Sequence, residues 1–270
     1  MPELEGKKLS IVVPAYNKAL GLYDFLTSLT FELEKITPNY EVVVVDDGSQ
    51  DATRLEAIRY KKENGYPGQK VFVFDYPMNV GKGFALSFGF SKTTGDVIVF
   101  MDADLDLPPR QLQYYLKTFI KKNADIVIGS KRHPMAKVHY PIRRRIYSLV
   151  FQWMIRILFH LTVADTQVGM KVFRRDVLEQ VIPRIVVKAF AFDLELLVVA
   201  HHLGYKRIIE VPADLRYKHF GSTISPIAIK NMIQDTLAIF YRKHILKYYM
   251  RPLTNGRLSE SQILAPIEPN

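Results

Sequence analysis

Apolar residues gather in short unbroken runs at Leu9 to Val13, Glu41 to Val45, Val71 to Phe74, Val97 to Met101 and Ile126 to Ile128. Runs that are continuous rather than alternating suit parallel strands covered on both faces. Between them, Ala19 to Ile36, Asp51 to Asn64, Gly83 to Lys92 and Pro109 to Lys122 carry helical patterns. This alternation predicts an α/β fold: a Rossmann-like, mainly parallel sheet with helices on both faces, whose ligands bind at the carboxyl ends of the strands. After Lys131 the rhythm changes to helices with strand-like pieces at Lys171 to Phe173 and Arg207 to Val211. Pro252 to Asn270, with three prolines and no aromatic residue, reads as a mobile tail.

Two of the later helical patterns are widely apolar and therefore read as C-terminal amphipathic helices. In Ile146 to Ala164 the polar residues Ser148, Gln152, Arg156 and His160 recur every four positions, with Arg144 one turn earlier. Such a seam drifts by about 40° per turn around the helix. A core helix of a large domain would look like this, and so would an interfacial helix that presents Arg144 and Ser148 to a lipid phosphate at a bilayer surface. The stretch Ile227 to Met250 mixes Ile, Phe and Tyr with Arg242, Lys243, His244 and Lys247, followed by Arg251. Its basic end suits anionic head groups, or a solvated helix terminus favoured by the dipole. No stretch reaches the ~18 uninterrupted apolar residues of a spanning helix. Met1 to Lys8 has no apolar core for a signal peptide, so a soluble or peripheral, cytoplasmic protein is expected.

With 270 residues, 48% hydrophobic and 24% charged, the chain can bury a real core, which excludes disorder, collagen and coiled coil. The absence of cysteine excludes disulfides, thiolate zinc sites and a cysteine nucleophile. Net charge is +10, and its position says more than its size: residues 1 to 135 hold 17 Lys+Arg against 17 Asp+Glu, whereas the remainder holds 20 against 10. An excess confined to the second half points to an anionic partner met there.

Four turns follow the first four apolar runs and should converge on one rim: Pro14-Ala15-Tyr16-Asn17, Asp46-Asp47-Gly48-Ser49, Asn79-Val80-Gly81-Lys82-Gly83 and Asp102-Ala103-Asp104-Leu105-Asp106. Alternate carboxylates at Asp102, Asp104 and Asp106, just past an extended run, offer hard oxygen ligands suited to Mg²⁺ or Mn²⁺ bridging a diphosphate. A solvated acidic turn would read the same in isolation, and the spacing does not match an EF-hand. The Gly81-Lys82-Gly83 turn lacks the spacing of a Walker A loop, but glycines at a helix start beside a lysine suit phosphate or hydroxyl groups.

Taken together, Ile11 to Asn17, Val45 to Ser49, Asn79 to Gly83 and Met101 to Asp104 resemble the family 2 glycosyltransferases of the GT-A fold. Gly129 to Arg132, Arg143-Arg144-Arg145 with Ser148, Asp165 to Phe173 and Phe192 to Leu196 narrow the resemblance to the dolichyl-phosphate or polyprenyl-phosphate hexose synthases. The similarity runs over roughly residues 8 to 250. It implies a glycosyltransferase domain over 1–251, with a nucleotide-sugar half at 8–130 and an acceptor and membrane-proximal half at 131–251, ahead of the 252–270 tail. Pro14, Tyr16, Asn17, Asp46, Asp47, Gly81, Lys82, Asp102 and Gln167 are then the donor-side residues, and Asp102, Asp104 and Asp106 the metal ligands. Asp104, Arg132, Arg144, Ser148, Asp193 and Glu195 form the expected catalytic group, with the arginines and Ser148 on phosphates and Gln167, Asp193 and Glu195 on the sugar side. One departure stands out: similar proteins usually continue the first motif as Tyr-Asn-Glu, where this chain has Lys18.

The implied reaction is inverting, metal-dependent transfer of a hexose from UDP-glucose, or from GDP-mannose, to dolichyl or polyprenyl phosphate on the cytosolic face of a membrane. A phosphate nucleophile, with a second pKa of ~6, needs cations more than a base. A saccharide hydroxyl acceptor would need a base, for which Asp193 or Glu195 is the candidate. A non-catalytic basic module would account for the charge but not for the aspartates. Expected partners are a nucleotide sugar, the lipid phosphate and an anionic membrane surface, with a membrane subunit left open and no nucleic acid.

Overall fold

The first strand, β1 (Leu9–Ala15), is almost wholly buried, and the reason is its position third from one edge of a seven-stranded sheet. The computed structural model describes residue 4 and residues 6–64, 70–104, 107–136, 142–188, 191–214 and 226–253, with only the backbone of 142–148, 150 and 226–229. The other strands are β2 (Tyr40–Asp46), β3 (Val71–Asp75), β4 (Val97–Met101), β5 (Ile126–Ser130), β6 (Met170–Arg174) and β7 (Ile208–Pro212), in the order β3-β2-β1-β4-β6-β5-β7. β1 pairs in parallel with β2 and β4, and β5 with β7. The exception is β6, which runs antiparallel between β4 and β5. The start of β6 therefore lies on the same rim as the ends of β1, β2, β4, β5 and β7.

The helices are α1 (Ala19–Ile36), α2 (Thr53–Asn64), α3 (Lys82–Ser91), α4 (Leu112–Lys121), α5 (Ile142–Phe159), α6 (Arg175–Val181), α7 (Phe192–His202) and α8 (Pro226–His244). In α4 the buried residues Leu112, Tyr115, Leu116 and Phe119 follow one face of a helix. They join Leu22, Phe25, Leu26 and Leu29 of α1 and the inward residues Ile11 and Val13 of β1 in one core on one side of the sheet. Val12 points to the other side, where α6, α7 and parts of α5 and α8 pack around Phe159, Phe173 and Ile239. Each fully buried large side chain contributes roughly 1.5–3 kcal/mol, so both faces are strongly committed.

α1 begins irregularly. Leu20 and Gly21 leave helical geometry, and Gly21 takes φ +102°, a conformation natural only to glycine, so the regular helix starts at Leu22. The segment before it is clipped to the loop after β2: Ser49 accepts from the Asn17 amide at 3.0 Å, Thr53 from Lys18 at 2.7 Å and Asp51 from Ala19 at 3.1 Å. Residues 254–270, expected as a tail, lie outside the described residues.

Candidate active site

A cleft of about 510 Å³ opens at the carboxyl ends of β1 and β4, lined by Pro14, Ala15, Tyr16, Lys18, Asp47, Asn79, Gly81, Lys82, Asp102, Ala103 and Asp104. Pro14, Tyr16, Asp47, Gly81, Lys82, Asp102 and Asp104, all expected from the sequence, meet there. Asp47 organises its floor. Although 3% exposed, its carboxylate accepts from the Tyr76 hydroxyl at 2.8 Å, Asn79 Nδ2 at 3.1 Å and the backbone amides of Val80 at 2.8 Å and Gly81 at 3.1 Å. These bonds tie the turn after β2 to the turn before α3. Burial, and then hydrogen bonding to Asp47, push the Tyr76 hydroxyl far above the usual tyrosine range, so it remains a donor. Gly81 sits at φ +112° to complete the turn.

Asp46 and Asn17 are placed one layer behind. Asp46 is buried and accepts from the Ser49 amide at 3.2 Å and from the Ser49 hydroxyl. The Asn17 side chain accepts from the Gln50 amide at 2.9 Å. Both shape the loops that carry the cleft, and neither is among its lining residues.

Four charges alternate from the lining of the cleft into the interior. Lys82 Nζ lies 2.6 Å from Asp102 Oδ1 and 3.9 Å from Asp193 Oδ2, while Lys171 Nζ is 2.8 Å from Asp193 Oδ1 and donates to the Val168 carbonyl at 2.7 Å. Burial presses Lys82 toward its neutral form, but Asp102 and Asp193, with Asp104 adding to them, outweigh it and raise its pKa above the ordinary lysine value. Lys82 is therefore a permanent cation. Gly169 makes this approach possible: a Cβ there would come within 2.3 Å of Asp102 Oδ2, and its carbonyl accepts from the Asp102 amide at 3.1 Å.

Arg132 follows β5 on the same rim, two strands from Asp102. One guanidinium nitrogen donates to Gln152 of α5, and Nη2 is buried with no hydrogen-bond partner among the described residues. A buried cationic donor left open calls for an anionic oxygen. Gln167 lies at the approach to β6 and donates from Nε2 to Met232 Sδ at 3.2 Å. Glu195, by contrast, sits wholly inside: it accepts from Arg242 at 2.9 Å, Tyr249 at 2.5 Å and the amides of Val186 at 3.0 Å and Val187 at 2.7 Å. With both oxygens engaged, it joins α7 to α8 and to the segment before α7. Asp106 and the side chains of Arg144 and Ser148 lie outside the described residues.

Sequence reasoning assigned no role to Lys171, Gln152 or Tyr76. A lysine inside the apolar strand Met170–Arg174 was the available signal for the first. Gln152 was visible in the polar seam, but its partner was not. Lys18, noted as a departure, proves to line the cleft.

Residues 10–182 match the family model described as glycosyl transferase family 2. The chain belongs to that family and is a glycosyltransferase of the GT-A fold, as its motifs led us to expect. It is similar to the dolichyl-phosphate beta-glucosyltransferase of Drosophila melanogaster, at 36% identity over 217 residues, 75% of this chain and 66% of that protein. It is 30% identical to dolichyl-phosphate beta-glucosyltransferase ALG5A of Trichomonas vaginalis over 250 residues, 87% of this chain and 74% of that one. Glucosyl-3-phosphoglycerate synthase from Mycobacterium tuberculosis, solved with Mn²⁺, UDP-glucose and phosphoglyceric acid, shares the fold with a TM-score of 0.65 at 19% identity, covering 94% of this chain and 83% of that one.

Proposed function

We propose that the protein transfers glucose from UDP-glucose to dolichyl or another polyprenyl phosphate, with inversion, releasing UDP. The observation that carries this reading is the convergence of Tyr16, Lys82, Asp102 and Asp104 in one cleft at the β1 and β4 ends, where doubly wound sheets bind nucleotides. The names of the two curated relatives supply the acceptor and the sugar.

The donor's base and ribose fit against Pro14, Tyr16 and Lys18, with the diphosphate toward Lys82 and the aspartates. Asp102 and Asp104 offer hard carboxylate oxygens, and the ammonium of Lys82 at 2.6 Å marks this lip as a place for a cation, so the residues fit Mg²⁺ or Mn²⁺. Asp106 completes the expected set. Among the described residues no group of three such ligands is assembled. A bound divalent ion there supplies charge neutralisation of the leaving diphosphate.

The acceptor phosphate reaches the site mostly deprotonated and brings a second anion to the first. Arg132 is suited to receive it, because Gln152 holds one side of the guanidinium and leaves Nη2 to donate. Arg144 and Ser148 are assigned to the same phosphate. Asp193 is held by two lysines and Glu195 by its four donors, so neither carboxylate stands free to meet an acceptor hydroxyl, which favours a phosphate over a hydroxyl nucleophile.

The test is transfer by the purified chain with Mn²⁺ or Mg²⁺, dolichyl phosphate and radiolabelled UDP-glucose or GDP-mannose. A glucosylated, organic-extractable lipid and free UDP are the expected products. Turnover of GDP-mannose in preference would overturn the donor assignment, and turnover of no nucleotide sugar would overturn the reaction.

A further inference from the structure

Two helices on the second core carry apolar side chains on the wrong side for packing. In α5, Leu149, Trp153 and Ile157 recur every fourth residue and are exposed, Trp153 by 62% and Ile157 by 66%. In α8, Ile233, Leu237, Tyr241 and Ile245, the last just past its end, repeat the same spacing and the same exposure. The buried residues Ile155 and Phe159 of α5, and Ile239 of α8, lie on the opposite sides and share one core. The two helices meet at their ends: Lys243 donates to the Phe159 carbonyl at 3.4 Å, and Phe240 packs on Phe159 with ring centres 6.4 Å apart. The outer stripes of both helices face away from that shared core.

Charge decides what covers this face. α5 has four arginines and no carboxylate, and residues 226–253 have five Lys+Arg against the single Asp235. Asp235 is half-buried, and that burial raises its pKa despite Arg242. Arg156, Lys230, Lys247 and Arg251 are exposed. An apolar strip with one Trp and one Tyr, rimmed by cations and nearly free of acids, matches the boundary of an anionic bilayer. No helix among the described residues is long and apolar enough to cross a membrane. The same helices touch the rim through Gln152 to Arg132 and Met232 to Gln167.

We propose that the outer stripes of α5 and α8 lie on an anionic lipid surface and hold the Arg132 side of the cleft at head-group level. This deepens the lipid-phosphate reading, on which its purpose rests, but it is tested without that substrate. Trp153 is the only tryptophan, so its emission reports the face directly. The full chain is mixed with vesicles of phosphatidylcholine alone, or with about 30% phosphatidylserine, neither holding polyprenyl phosphate. Expected are a blue shift, quenching by brominated acyl chains, and affinity about tenfold or more higher for the anionic vesicles, falling with salt. Ile157→Asp with Ile245→Asp should abolish vesicle binding, while melting temperature and transfer to a short, water-soluble polyprenyl phosphate stay as in the parent. If the parent itself fails to use that acceptor, the function falls and the vesicle result still stands. Unchanged Trp153 emission on anionic vesicles overturns the proposal. So does a dimer that the same substitutions dissolve in a chain that ignores vesicles, which would assign the face to a second copy.

Discussion

Replacing Lys171 with methionine keeps the side-chain length but strips the charge from a pair whose partners are 2% and 9% exposed. Removing one member of a buried ion pair costs about 3–5 kcal/mol because the other charge is left uncompensated. Lys82, at 3.9 Å from the second oxygen of Asp193, compensates in part, which places the expected loss at the lower end, about 3 kcal/mol. For a chain of this size that lowers the melting temperature by about 6–12 °C. Calorimetry or urea unfolding reads it directly. The cycle with Asp193→Asn should show the two losses failing to add by about 2 kcal/mol, since the second substitution removes the stranded charge. A second consequence follows at the cleft: with Lys171 gone, Asp193 competes harder for Lys82, so Asp102 is less neutralised and Mn²⁺ should bind more tightly. A drop below about 2 °C, or additive losses, would refute the linked four-charge account.

Gly169→Ala should cut transfer at least tenfold with a stability loss of about 1–3 kcal/mol, because the new Cβ, 2.3 Å from Asp102 Oδ2, forces that carboxylate to turn; steady-state rates and a thermal melt check it. Glu195→Gln should lower stability by about 3 kcal/mol by stranding Arg242 while leaving kcat within a few-fold, whereas a large kcat loss without unfolding would return Glu195 to the chemistry. Gln152→Ala should raise the KM for the lipid phosphate several-fold with the donor KM unchanged, since it frees the Arg132 guanidinium to wander. Burial presses the Glu41 carboxyl upward, but hydrogen bonds from Lys8, Ser10 and the Thr94 amide hold it below 4.5. Its stabilisation is thus complete above the unfolded value and is lost as pH falls through the lower folded one, so Glu41→Gln should flatten the acid limb of a stability–pH curve.

Strand positions were legible because continuous burial leaves a simple trace: the runs read at Leu9, Glu41, Val71 and Val97 each fall within a strand. The direction of β6 was not legible, because a short buried strand reads the same in either sense. The helix at Ala19 was placed correctly, yet its break at Leu20 and Gly21 depends on loop clips made to Ser49, Asp51 and Thr53, more than thirty residues away. Of the residues expected at the site, Pro14, Tyr16, Asp47, Gly81, Lys82, Asp102 and Asp104 share the cleft, since topology alone carries the turns after parallel strands to one rim, whereas Asn17 and Asp46 in the same turns fall behind it. Asp193 and Glu195 look alike in sequence, two apart at the start of α7, but two helical positions lie about 200° apart, which sends one to Lys82 and Lys171 and the other into a cage of donors. Nothing local separates them. Only the partners do, and these come from β6, α3, α8 and the chain beyond it.

The reversed strand β6 also bears on how the chain is made. β4 is an interior strand whose five residues are all buried, and its second neighbour is β6, encoded some seventy residues later. Until residues 170–174 have left the ribosome, the nascent sheet of β1 to β4 ends in a bare apolar edge, Val-Ile-Val-Phe-Met, of the kind that recruits other strands. The two halves of the chain, different in charge, are thus joined in one sheet: the part that carries the cleft-lining residues cannot complete it until the part that carries Arg132 and Lys171 has been synthesised.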